Sequence, residues 1–145
     1  MERLATRITM RLMTGDERSR LLEVGWSYRS DEPHAIALDF ADYQPDAVWT
    51  LSRDLLVAGL HTPVGDGDVH VTPFDDAYVL IALAGDEGVA LLAASADTVA
   101  RFLAATARMV PPGLEHTRID WDQGLKDLLA ARPYRTEPEE TPPCP

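Results

Sequence analysis

Asparagine is absent from this sequence, lysine occurs once, at Lys126, and cysteine occurs once, at Cys144. Without asparagine there is no N-glycosylation site. A lone cysteine forms no internal disulfide and no cysteine-based zinc site, which fits a reducing compartment. Long apolar runs are missing too. Met1-Glu2-Arg3-Leu4 leads straight into an alternating segment. There is no signal-peptide core of roughly 7–15 apolar residues and no membrane-spanning run of about 18. A cytoplasmic protein without membrane insertion is expected.

Positive charge is scarce. Thirteen Lys and Arg oppose 24 Asp and Glu, giving a formal net charge of -11. A phosphate-binding surface needs clustered cations to displace counterions. The strongest basic series is Arg3, Arg7 and Arg11. Its spacing puts all three on one face of a strand, as in an ordinary solvated sheet face. Nucleic acid is therefore not an expected partner. The length of 145 residues suits one domain, large enough to bury roughly 70% of the surface of its unfolded chain.

What the first half does have is period-two alternation, the mark of half-buried strands. Leu4, Thr6, Ile8, Met10 and Leu12 share a face. Leu22, Val24, Trp26 and Tyr28 form a second strand beyond a turn at 14–17, and Ile36, Leu38 and Phe40 a third. Gln44-Pro45-Asp46 turns the chain into a fourth, Val48 to Leu51. Ser52 is placed to cap a short helix, 53–58, with Gly59 in the left-handed position past its end. A loop, 62–67, leads to a strand with Val69 and Val71. Two more strands, 78–83 and 89–92, form a hairpin across Gly85 to Gly88.

The last part has helical period. Ser95 caps a stripe of Val99, Phe102, Leu103, Thr106 and Val110. Pro111-Pro112-Gly113 ends it, and Asp120 with Gln123 resembles a capping box for a final helix. The expected fold class is α+β: an antiparallel core of about seven strands, one short central helix and two C-terminal helices. The domain spans 1–132. Residues 133–145 hold five prolines and three glutamates, a composition that cannot offset its ordering entropy, so a disordered tail is expected. Trp26, Tyr28 and Tyr78 are more than a small core covers, which favours a closed symmetric oligomer.

Reactive constellations are not found. His34, His61, His70 and His116 lack metal-ligand spacing. Ser27 lacks the second glycine of a nucleophile elbow. Asp66-Gly67-Asp68 lacks the remaining ligands of a calcium loop and reads as a turn. Gly65 and Gly67 lack the third glycine of a dinucleotide loop, and Asp120 with Asp122 reads as a helix start. No catalytic residue, metal or cofactor is expected. The candidate contact surface is the stiff loop 111–118, with Gly113, Glu115 and His116, taken as exposed, and secondarily the sheet rim at Arg53 and Asp54.

One stretch carries more information. Trp49, Arg53-Asp54-Leu55-Leu56, Gly59-Leu60, Pro63, Gly65, Gly67-Asp68-Val69, Val71 and Pro73 follow one another in a long pattern that resembles the signature of the SsgA/SsgB-like proteins of sporulating actinomycetes. Tyr28, Pro33, Ala35 and Phe40 upstream fit it. So do Ala90-Leu91-Leu92, Phe102-Leu103, Val110 to Gly113 with Glu115, and Asp122-Gln123 with Leu125. The resemblance spans roughly residues 3 to 131. It implies a trimer with a Whirly-like β core and a role in septum placement and septal wall remodelling at division septa. It also implies cell-division partners: FtsZ or another SsgA-like protein. The alternative is a Whirly-like module for single-stranded nucleic acid.

Overall fold

Period-two alternation becomes sheet wherever the sequence shows it. The computed structural model describes residues 1–13, 19–86 and 88–118. Its elements are β1 (Arg3–Met13), β2 (Ser19–Arg29), β3 (Ala35–Asp39), β4 (Val48–Ser52), α1 (Arg53–Gly59), β5 (Val64–Asp66), β6 (Val69–Phe74), β7 (Tyr78–Gly85), β8 (Gly88–Ser95) and α2 (Ala96–Met109), followed by a 3-10 turn over Glu115–Arg118. The eight strands form one sheet in the order β4-β3-β2-β1-β8-β7-β6-β5. Every neighbouring pair is antiparallel. Two four-strand meanders, each followed by a helix, thus meet where β1 pairs with β8.

One face of this sheet is the core. Ile8, Met10 and Leu12 of β1 lie beside Leu22, Val24, Trp26 and Tyr28 of β2, then Ile36 and Leu38 of β3, all buried. Val71, Val79, Ile81, Leu83 and Leu92 continue the face through the second meander. Helix α2 lays Val99, Phe102, Leu103 and Thr106 against it, and its N-cap is Ser95, whose Oγ accepts from the Thr98 N–H at 3.3 Å. Helix α1 packs against β4 as well as β5 and β6. Those are strands from the two opposite ends of the sheet order, so the sheet must curl to bring both to one helix.

The structure corrects several expectations. The sheet has eight strands, not seven. Val64–Asp66, expected in a loop, is β5, paired with β6 from Val64↔Val71 to Asp66↔Val69. Three residues, one of them glycine, are too few to show a period. Gly67 makes the turn, at φ +60°. Gly59 closes helix α1 from within and does not sit in the left-handed region; its successor Leu60 is the cap. Glycine is required there by crowding, because a Cβ would lie 2.2 Å from Val71 Cγ1. Trp26 and Tyr28 are fully covered within one chain, at 0% and 1% exposure, while Tyr78 stays 47% exposed. Trp26 meets Phe102 edge to face at 5.6 Å. The expected turn at 14–17, the helix after Asp120 and the tail 133–145 lie outside the described residues.

Candidate functional site

The alternation of β4 explains the most unusual side chain in the molecule. Trp49 and Leu51 face inward, and two residues on the same parity falls on Arg53. Its backbone N–H still belongs to the sheet, donating to the His34 carbonyl at 2.8 Å. Ser52 begins the helix at this point: its Oγ accepts from the Leu55 N–H at 3.1 Å. Arg53 is therefore the last inward position of a strand and the first residue of a helix, and its guanidinium is driven into the core at 2% exposure.

A buried cation must be paired. Arg53 Nη1 donates to the carbonyls of Thr106 at 3.2 Å and Val110 at 2.8 Å. The Val110 carbonyl lies just past the C-terminal end of α2, and that of Thr106 also accepts from the Val110 N–H at 2.9 Å; a positive charge there suits the helix dipole. Nη2 donates to Glu115 Oε2 at 2.8 Å. The guanidinium carbon lies 5.2 Å from the centre of the Tyr28 ring, and the Tyr28 hydroxyl donates to the Pro33 carbonyl at 2.9 Å. The second carboxylate oxygen of Glu115 accepts from the Gly113 N–H at 2.8 Å. Gly113 stands at φ +92°, open to glycine at no cost.

Arg53, Gly113 and Glu115, nominated from sequence for a surface, are thus one interior clamp tying α1, the end of α2 and the loop 111–118 together. The exposure expected of Glu115 and of the rim at Arg53 is corrected: both side chains are buried. His116 and Asp54 are exposed, as is Leu114. Sequence reasoning missed three contributors: the Tyr28 ring and the carbonyls of Thr106 and Val110. Only the parity of Trp49, Leu51 and Arg53 could have pointed to them.

The hydrogen bond from Arg53 holds the Glu115 carboxyl down to about 2, against an ordinary 4.5. Its own backbone N–H and that of Gly113 assist, and burial opposes. Near neutral pH this carboxylate neither gives nor takes a proton, so the chemistry open to the clamp is mechanical. It holds a loop in one shape. Among the described residues no group of three His, Cys, Asp or Glu side chains is placed to hold a metal ion. No described helix is long and apolar enough to cross a membrane.

Comparison with known proteins follows the same residues. The family model for the Streptomyces sporulation and cell division protein SsgA matches residues 22–115. The sporulation-specific cell division protein SsgB of Streptomyces coelicolor is 41% identical over 125 residues, covering 83% of this chain and 91% of the relative. The SsgB of Kineococcus radiotolerans is 34% identical over 128 residues, covering 85% and 78%. A solved structure from work in which mutations in SsgB correlate to longitudinal cell division during sporulation of Streptomyces coelicolor superimposes with a TM-score of 0.75 at 35% identity, covering 81% of this chain and 96% of that one. The SsgA-like sporulation-specific cell division protein of Thermobifida fusca gives 0.77 at 29% identity, covering 88% and 96%. The inward Arg53, its helix and the clamp partner Glu115 all fall within the matched region, and the chain belongs to the SsgA family of sporulation and cell division proteins.

Proposed function

We propose that the chain is a protein-binding factor and not a catalyst. It acts in sporulation-specific cell division, in septum-site placement through FtsZ or another SsgA-like protein, or in septal cell-wall remodelling. It works in the cytoplasm at division septa, as a homotrimer built on a Whirly-like core. The observation that supports this reading is the clamped loop. Two prolines, a glycine in a left-handed conformation and a buried ion pair fix 111–115, while Leu114 and His116 remain on the outside. A partner loses little entropy in ordering such a loop. A rigid, exposed loop is where binding residues concentrate.

The test replaces the native copy with a Leu114→Asp, His116→Ala variant in a sporulating host. Both side chains are exposed, so folding and mass by light scattering should be unchanged. Sporulation septa should fail, and FtsZ should no longer co-purify. Normal septation with the variant protein refutes the reading.

A further inference from the structure

At the end of the sheet away from Arg53, the curl leaves an apolar cleft. Phe40, Trp49, Leu83 and Leu92 wall a cavity of about 100 Å³. Tyr43 lines it and also a neighbouring, shallower depression of about 400 Å³, beside Asp86 and Val89. Small-molecule sites run from about 300 to 1,000 Å³, and an apolar cavity of about 150 Å³ accepts a benzene ring. The smaller cavity therefore has the size of one aliphatic side chain.

Beside the cleft runs β4, the end strand of the sheet. Arg53 donates to His34 and Phe40 to Ala47 across the β3–β4 pair. With the register Ala37↔Thr50 and Asp39↔Val48, alternation turns the N–H and C=O groups of Val48 and Thr50 away from β3. Among the described residues nothing pairs with them. An unpaired edge is a template for an added strand. The edge and the cavity together specify an extended peptide with an apolar side chain.

Charge specifies the rest. Asp86 is exposed in the depression, and Asp46, also exposed, lies in the turn just before β4. Arg20, a cation close by, is drawn over the Tyr43 ring at 5.3 Å, and the chain as a whole carries -11. The chain's own segment 133–145 is a poor occupant. Its prolines lack the N–H an edge needs, and its glutamates meet like charge. We propose that the cleft and the free edge of β4 bind a short, extended, positively charged segment of a partner protein, added as a further strand with one aliphatic side chain in the cavity. This surface lies at the opposite end of β1 and β2 from the clamped loop and goes beyond the reading above.

The probe is a labelled heptapeptide of alternating Lys and Leu, titrated into the full-length protein and followed by anisotropy. Saturable binding at submillimolar concentration is expected, with a shift in tryptophan emission that Trp49→Phe removes. Ala90→Leu fills the cavity from β8 and should weaken binding at least about tenfold, close to 1.4 kcal/mol. N-methylation of the peptide at alternate residues should abolish binding, a test that leaves the protein untouched should Ala90→Leu misfold. Equal binding of a Glu and Leu heptapeptide, or of the N-methylated one, overturns the proposal. So does undiminished binding to folded Ala90→Leu. A tenfold gain on truncation after Arg132 assigns the cleft to the chain's own tail and overturns it too.

Discussion

Replacing Arg53 by methionine tests the clamp most directly. Methionine keeps much of the length and apolar stem of the side chain, so packing is the smaller loss. What disappears is the charge and all three hydrogen bonds, to Thr106, Val110 and Glu115. Glu115 then remains buried without its cation. Removing one partner of a buried pair costs about 3–5 kcal/mol. A domain of this size has roughly 5–15 kcal/mol in total, so the variant should remain folded but weakened. At about 3 °C per kcal/mol the melting temperature should fall by about 10 °C or more. Thermal unfolding followed by far-ultraviolet circular dichroism measures the shift, and urea unfolding measures the free energy. The double variant Arg53→Met, Glu115→Gln removes the stranded charge, so it should be more stable than the sum of the two single losses allows. A loss below about 1 kcal/mol for Arg53→Met, the level of an ordinary surface change, refutes the reasoning. Strict additivity of the two variants does the same.

Other outcomes follow from the same contacts. Glu115 has its carboxyl held down to about 2 from 4.5, so the unfolded chain binds its proton more readily in that window. Its contribution is fully present above pH 4.5 and is lost as pH falls towards 2. The gap in stability between the native protein and Glu115→Gln should therefore be constant near neutrality and shrink on acidification. Gly59→Ala forces a Cβ against Val71 and should cost about 1–3 kcal/mol, largely recovered in Gly59→Ala, Val71→Ala; no recovery by urea unfolding refutes the crowding account. Trp26 Nε1 is buried without a hydrogen-bond partner among the described residues. Trp26→Phe therefore sheds an orphan donor and should cost less than the roughly 3–5 kcal/mol of a large aromatic truncation. Labelled single-stranded DNA in about 150 mM salt, near the ionic strength of the cell, should show no submicromolar shift.

The strands were legible because alternation survives in the sequence wherever one face is wet. Arg3, Arg7 and Arg11 against Ile8, Met10 and Leu12 is the clearest case. Ser52 and Ser95 were legible as caps because a hydroxyl before a helix has one main use. β5 was not, since Val64-Gly65-Asp66 has neither the length nor the composition of a strand and is held by pairing with β6. Of the candidate contact residues, Asp54, Gly113 and His116 are exposed as expected, whereas Arg53 and Glu115 are buried. Charge argued for exposure at Arg53 and Glu115, and only three-dimensional pairing supplies the compensation that allows a charged side chain inside. The long pattern from Trp49 to Pro73 named the family because it encodes these packing requirements, and for the same reason it says little of partners.

The meeting of β1 with β8 has a consequence for how the chain is made. Among the described residues, that seam joins the first strand to the last, through the pairs from Met10↔Ala94 to Met13↔Leu91. During synthesis the leading meander can form from local neighbours, but its β1 edge stays bare until β8 has left the ribosome. For that interval the nascent chain carries a free apolar edge, open to pairing with β8 of a neighbouring copy made on the same message. Cutting the chain between α1 and β5, after His61, should give two four-strand fragments that reassemble through this seam, each one the missing half of the other.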